Sequence, residues 1–331
     1  YLVVWADRRD GVQRIYGARV RPDGTVLDKQ GFLISGTSYS QSMPRVASDG
    51  YSWLVVWQES RTSTDVYGRK VNMDGTLGNI YGISTRLDNE ETPDVAFNGT
   101  TYLVVWRDFR NIATTDSDIY GCRVAKSGIR TGSDILISLY NTAGANGAQR
   151  RPRACGYSGG CMVVWEDLRN DATTKADIYG ARVRADGVVT DKFGIQITNA
   201  ADDQETPSVG FNGSKFLVIW RTGADKVVRG ARVALSNGAV LDIPDRQMAN
   251  GSAGSYGVSV SGGDGKFFTA WSSLSATSSD TLGSVVTDGG TPETPNGRLL
   301  STGTEIIDKH SIAFSGNEYA VVWSQKLNGT W

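Results

Sequence analysis

Tyr102-Leu-Val-Val-Trp106 is one copy of a phrase that returns along the whole chain, ending at Trp5, Trp57, Trp106, Trp165, Trp220, Trp271 and Trp323. Successive tryptophans are 52, 49, 59, 55, 51 and 52 residues apart, and self-similarity with a period of about 50 marks propellers and solenoids. A second phrase follows the first at a variable distance: Ile15–Val20, Val66–Val71, Ile119–Val124 and Ile178–Val183 all carry Tyr-Gly, with weaker copies at Val228–Val233 and Leu282–Val286. After it come a turn such as Asp23-Gly24, Asp74-Gly75 or Asp186-Gly187 and a short apolar stretch such as Phe32–Ser35 or Ile195–Thr198. Before each Trp phrase lies a segment such as Pro44–Ala47, Pro93–Ala96 or Pro207–Gly210. The unit is therefore four short strands, a, b, c and d. Strand b is apolar on both faces, as expected of a blade sandwiched between two others. Asn98-Gly99, Asn212-Gly213 and Asp49-Gly50 supply the positive φ angles that an a-b hairpin needs. No segment of helical length shows a sustained 3.6-residue period.

The chain begins with b, c and d, runs through five complete units, and ends with a further a (Ser311–Phe314) and b (Tyr319–Trp323). We read residues 1–331 as one all-β domain, a β-propeller of six four-stranded blades closed by pairing the N- and C-terminal strands. Residues 318–331 are then a surplus strand or the start of a further repeat, and seven blades are the alternative. With 34 basic against 35 acidic side chains the net charge is -1, so no electrostatic footprint for nucleic acid or an anionic membrane exists. No apolar run approaches the roughly 18 to 20 residues that span a bilayer. The opening at Tyr1-Leu-Val-Val-Trp5, inside a strand, reads as a mature or excised segment, so a missing leader carries no weight.

The phrases Val163-Val-Trp-Glu-Asp-Leu-Arg169 and Asp177-Ile-Tyr-Gly-Ala-Arg-Val183 resemble the propeller repeats of secreted and cell-surface bacterial and archaeal proteins, similar to TolB-like arrays. The resemblance covers nearly the whole chain and implies a scaffold in an extracytoplasmic location, secreted or at the cell surface. It brings no catalytic residues with it, because such blades serve binding, structural and enzymatic proteins alike.

Within the repeat, Trp-x-Asp-x-Arg recurs as Asp7 with Arg9, Asp108 with Arg110 and Asp167 with Arg169, with Glu59 and Arg61 as a variant. A ring of charges gripping a ligand is one reading. The stronger is structural, a pair that pins the b-c loop in blade after blade. Asp65, Asp118 and Asp177, which precede strand c, read in the same way as backbone caps. Asp116 and Asp118 together suggest calcium, but the chain holds no complete Asp-x-Asp-x-Asp-Gly loop and no metal or other cofactor is predicted.

The d-a loops share a face with the b-c loops in propeller connectivity and are long and polar: Arg86–Thr92, Asn199–Thr206 and Tyr140–Arg153. Variable polar loops on one face of a rigid scaffold are the default binding surface. The candidate ligand-binding residues are Asp88, Glu90, Glu91, Arg150, Arg151, Asp202, Asp203 and Glu205, weighed against a merely solvated rim.

Cys155 and Cys161 flank an a-b turn where a cross-strand disulfide is open geometrically, with two buried thiols as the alternative. A bridge would fit an oxidising compartment, and Cys122 is left over in strand c. The single histidine, His310, has no Gly-x-Ser-x-Gly elbow beside it and reads as a packed residue rather than a base. Asn-Gly-Ser/Thr sequons at Asn98, Asn212, Asn250 and Asn328 are explained mainly by turn chemistry. Three functions follow: an extracellular scaffold binding a glycan or protein through its top-face loops, a structural subunit of a surface layer or filament that self-associates by strand exchange, and a polysaccharide hydrolase or lyase working with carboxylates. Catalysis is the less favoured, since catalytic residue types are sparse.

Overall fold

The computed structural model describes residues 1–139, 147–223, 225–249, 256–274, 279–303 and 307–325. Asn250, Asn328 and residues 326–331 of the C-terminal tail lie outside them, as does the stretch 140–146 of the long d-a loop.

The chain is an all-β propeller of antiparallel a-b-c-d blades. The first sheet holds β1 (Leu2–Asp7), β2 (Arg14–Arg19) and β3 (Phe32–Leu33) in that order. Four-stranded sheets follow: β4 (Ser40–Ser48), β5 (Ser52–Ser60), β6 (Thr64–Asn72) and β7 (Leu77–Ser84), then β8 (Glu90–Phe97), β9 (Tyr102–Asp108), β10 (Asp118–Val124) and β11 (Arg130–Leu136). The next two are β12 (Gln149–Tyr157), β13 (Gly160–Asp167), β14 (Asp177–Arg184) and β15 (Ile195–Gln196), and β16 (Gln204–Phe211), β17 (Lys215–Thr222), β18 (Val228–Ala234) and β19 (Arg246–Gln247). The last complete sheet is β20 (Tyr256–Gly263), β21 (Lys266–Leu274), β22 (Ser279–Val286) and β23 (Arg298–Gly303), and β24 (Ile307–Phe314) pairs with β25 (Tyr319–Gln325). Among the described residues the only helix is the single turn α1 (Asp171–Thr174).

Two compact units are distinguished, Tyr1–Trp165 with Ala181–Gly194, and Glu166–Gly180 with Ile195–Trp331. In the first, the inner strands β4, β8 and β12 pack one on the next, and in the second β16, β20 and β24 do the same. The C-terminal strand a pairs with the strand b that follows it. The register Phe314↔Tyr319 through Ile307↔Gln325 puts β24 and β25 in a two-stranded sheet, and β1–β3 form a separate three-stranded one. Loop entropy favours a partner reached through a turn this short, Ser315 to Glu318.

The repeats explain themselves at atomic level. Trp57, Trp106, Trp165, Trp220 and Trp271 are fully buried, as are the valines before them in β5, β9 and β13. The glycine of the Tyr-Gly phrase is required by close approach. A Cβ on Gly121 would stand 2.8 Å from the Val104 carbonyl oxygen and 3.0 Å from Ile137 Cδ1.

Strand a begins earlier than the sequence suggests. Met43, Thr92, Arg151 and Thr206 adopt left-handed φ angles of 53°, 50°, 52° and 52°, each just before the proline at which the sequence pattern starts. The register shifts there, between Ser42 and Arg45, Glu91 and Asp94, and Glu205 and Ser208. These are β-bulges, which let the strand pass through a proline and re-aim the side chains before it. The bulge amide is held by a side chain of the preceding blade: Thr92 N–H donates to Gln58 Oε1 at 2.8 Å and Thr206 N–H to Glu166 Oε1 at 2.6 Å.

Cys161 is a free, fully buried thiol, so the disulfide expected between Cys155 and Cys161 is not formed. The reason is register. The turn between β12 and β13 has the same two-residue length as Asp264-Gly265, across which Gly262 faces Phe267 and Ser261 faces Phe268. By the same count Cys161 faces Gly156 and Cys155 faces Met162, so the two thiols project to opposite faces of the sheet. The Cys155 thiol turns instead to the Gly156 carbonyl, 3.8 Å away. Burial also pushes the Cys161 thiol far above its ordinary pKa, which suppresses the thiolate that exchange chemistry needs. Melting curves recorded with and without dithiothreitol are expected to coincide. A midpoint several degrees lower under reduction would restore the bridge.

Candidate functional site

The Trp-x-Asp-x-Arg motif is a loop clasp, the structural reading of the pair. Asp108 accepts the Trp106 indole N–H at 2.8 Å and the Arg110 backbone N–H at 2.9 Å, and pairs with the Arg110 guanidinium at 2.5 Å. The guanidinium then covers the ring of Tyr120 from strand c, 3.8 Å from its centroid. Asp7 with Arg9 over Tyr16, and Asp167 with Arg169 over Tyr179, repeat the arrangement. Arg61 pairs with Glu59 at 2.7 Å and covers Tyr67, but the longer side chain leaves the Trp57 indole N–H without a partner. Where Thr222 replaces the acid, the Trp220 N–H is orphaned as well. Asp118 is likewise committed, accepting from Asn111 Nδ2 and Thr115 Oγ1, both at 2.9 Å, while burial pushes its carboxyl above the usual aspartate value. Asn98 and Asn212 are each only 3% exposed. The Asn98 side-chain oxygen accepts the backbone N–H groups of Thr100 and Thr101, and that of Asn212 those of Ser214 and Lys215.

The predicted ligand residues divide between the two units. Asp88 is exposed in the turn before β8. Glu90 is fully buried and out of reach of a ligand. Burial pushes its carboxyl up to about 7 against an ordinary value of 4.5; the Arg86 backbone N–H, 3.4 Å from one oxygen, opposes this, and Asp108 and Asp65 add to it. In the other unit Asp203 Oδ1 accepts the Ala176 N–H at 3.2 Å, Gln204 donates to the Asp202 carbonyl, and Glu205 is hydrogen-bonded directly to Arg221.

Glu91 stands against a residue the sequence did not single out, Arg107. It stands between the buried Trp106 and Asp108 on β9 and pairs in register with Glu91. Its Nε donates to Ser117 Oγ at 2.8 Å, and that hydroxyl donates to the Gln149 carbonyl at 3.1 Å, tying β9 to the start of β12. Its two terminal nitrogens face Glu91 at 3.9 Å and Asp116 at 4.0 Å, too far for hydrogen bonds. The Phe109 ring lies 4.4 Å from the guanidinium carbon. Burial holds the Arg107 pKa below its ordinary value; Glu91 and Asp116 oppose this, and Arg150 and Arg151 reinforce it. With Glu91 at 31% and Asp116 at 49% side-chain exposure, the patch is open to solvent. The sequence signal was the charge at the Trp-x-Asp position, hidden inside a strand that reads as apolar.

The lone histidine, His310, lies 3.0 Å from Ser272 Oγ through Nε2. Ser272 is fully buried, so this pair presents no nucleophile to a substrate.

No protein-family model matches the chain, and no curated protein is significantly similar to it. Solved structures are. The α-L-arabinanase of Penicillium chrysogenum, solved with arabinobiose, superposes with a TM-score of 0.57 at 11% identity over 87% of this chain and 90% of its own. The fold is shared. A subtype N10 neuraminidase-like protein of the bat virus A/little yellow-shouldered bat/Guatemala/060/2010 gives 0.56 at 11% identity over 87% and 93%. TolB from Acinetobacter baumannii gives 0.46 at 13% identity over 91% and 65%.

Proposed function

We propose that this propeller recognises a carbohydrate chain at the patch formed by Glu91, Arg107, Phe109 and Asp116, in an extracytoplasmic setting. The observation that carries the reading is the placing of two part-exposed carboxylates, Glu91 and Asp116, and the Phe109 ring around one guanidinium, that of Arg107. Sugar hydroxyls are met by forked donors and carboxylate acceptors, and sugar C–H faces by aromatic rings. The arabinanase whose structure holds arabinobiose supports the choice of ligand class, since the same scaffold carries a saccharide there.

A second reading is carboxylate-dependent hydrolysis, favoured by Glu91 and Asp116 facing the two ends of one guanidinium. Paired carboxylates flanking a glycosidic bond suffice for that chemistry. Calorimetric titration of a panel of neutral and acidic oligosaccharides, followed by a reducing-end assay on any that bind, separates the two. Binding without turnover, weakened several-fold by Glu91→Gln, is the expected result. Turnover abolished by Glu91→Gln makes the protein a hydrolase, and a panel without any binder overturns both readings.

A further inference from the structure

The residue before Glu91 on β8 is a carboxyl group where the other blades carry an amide. Gln41, Gln149 and Gln204 hold the same buried place at the start of β4, β12 and β16. Each donates a hydrogen bond through its side chain: Gln41 Nε2 to Glu59 Oε2 at 2.6 Å, Gln149 to the Gly147 carbonyl and Gln204 to the Asp202 carbonyl. A carboxylic acid can donate in the same way, and a carboxylate cannot. Glu90 therefore fits this place only with its proton on.

What faces Glu90 makes that proton matter. In register across β9 stands Asp108, fully buried, which accepts from Trp106 Nε1 and from the backbone N, Nε and Nη2 of Arg110. Glu90 Oε1 is buried without a hydrogen-bond partner. Burial, and then the charges of Asp108 and of Asp65 on β6, hold the carboxyl up to about 7, against the Arg86 N–H and the Arg110 guanidinium. The Arg86 guanidinium is turned to Asp134 at 3.8 Å; on the adjoining strands Arg45 of β4 is turned to Asp94 at 3.7 Å, and β12 carries Arg150 and Arg151. Yet water is one residue away: the five residues before Glu90, Thr85 to Asn89, are all exposed. A charged Glu90 reaches solvent by lifting that turn, and Glu91, which faces Arg107 across the same two strands, is lifted with it.

We propose that Glu90 is a proton-operated latch on this patch: protonated, it keeps the start of β8 on β9 with Glu91 against Arg107, and ionised, it releases both to solvent. The latch itself is a property of the free protein, and its effect on ligand binding rests on the carbohydrate reading above. The closed turn holds the proton more tightly than the open one, where the carboxyl has its ordinary value of 4.5. Closure is therefore strongest below pH 4.5, weakens as the pH rises to about 7, and changes little beyond.

Hydrogen exchange read by mass spectrometry tests the latch on the intact protein without a ligand. After correction for the intrinsic pH dependence of exchange, opening of residues 86–92 is expected to rise more than about tenfold between pH 5 and 8. Residues 38–43, where Gln41 holds the equivalent place, are expected to show no rise, and Glu90→Gln is expected to make 86–92 behave as they do. A turn indifferent to pH, a rise that persists in Glu90→Gln, or a rise shared by every peptide overturns the proposal. Calorimetric titration with the tightest binder among the neutral and acidic oligosaccharides is the second arm. Its affinity is expected to fall several-fold from pH 5 to 8 in the native protein and to stay level in Glu90→Gln. Affinity that falls equally in both proteins, or in neither, overturns control of the patch by Glu90. A panel without any binder removes the carbohydrate reading, and the exchange result then decides the latch by itself.

Discussion

Trp106→Ala lowers the unfolding free energy by about 3–5 kcal/mol, whereas the same substitution at Trp323 lowers it by under about 1 kcal/mol. Both residues end the same repeated phrase, and the difference lies in what covers them. Trp106 is 0% exposed and its indole N–H is held by Asp108 at 2.8 Å. Removing it opens a large cavity and leaves that carboxylate short of one donor. Trp323 is 36% exposed, on a sheet of only two strands, so little packing is lost with it. Urea unfolding of the two variants, followed by far-ultraviolet circular dichroism, makes the comparison. Equal losses at the two sites would mean that Trp323 is covered in solution, as strand addition to another copy would do, and light scattering across a concentration series would reveal that assembly.

Glu90→Gln stabilises the protein above neutral pH by roughly 2–3 kcal/mol and flattens its stability profile. Gln41, Gln149 and Gln204 occupy the corresponding buried position at the start of β4, β12 and β16, so Glu90 is a carboxyl group in an amide's place. Below pH 4.5 it is neutral in the folded and unfolded chains alike. As the pH rises from 4.5 to about 7, the unfolded chain sheds the proton and the folded chain keeps it, so stability falls through that window and levels off above it. The glutamine variant has no proton to shed. Thermal melts between pH 4 and 8.5 should show the two proteins close together in acid and several degrees apart at pH 8. Parallel profiles would show that Glu90 ionises as an ordinary surface acid does.

The sequence disclosed the repeat, the four strands and the clasp because each rests on side chains whose chemistry is local: a tryptophan that must be buried, a glycine between two strands, an aspartate two residues before an arginine. The disulfide was misjudged through parity, since one residue of turn length decides whether cross-strand side chains share a face. Arg107 stayed out of sight because strand b reads as continuous apolar sequence, and its partner Glu91 lies in a stretch that the sequence pattern reads as loop rather than strand. The bulge itself was signalled by Met43-Pro44, Thr92-Pro93, Arg151-Pro152 and Thr206-Pro207, prolines inside strands that pair on both sides of them.

The amide of each of two such bulges is caught by a side chain belonging to the blade before it, Gln58 for Thr92 and Glu166 for Thr206. The start of β12 reaches back in the same direction, Gln149 N–H meeting the Ser117 carbonyl at 2.7 Å. What is matched in this molecule is therefore the seam, half of it written in one repeat and half in the next. Deleting or duplicating a single repeat brings together two halves that were never written for each other, so such a protein would need compensating changes at the new joint even though every one of its blades was intact.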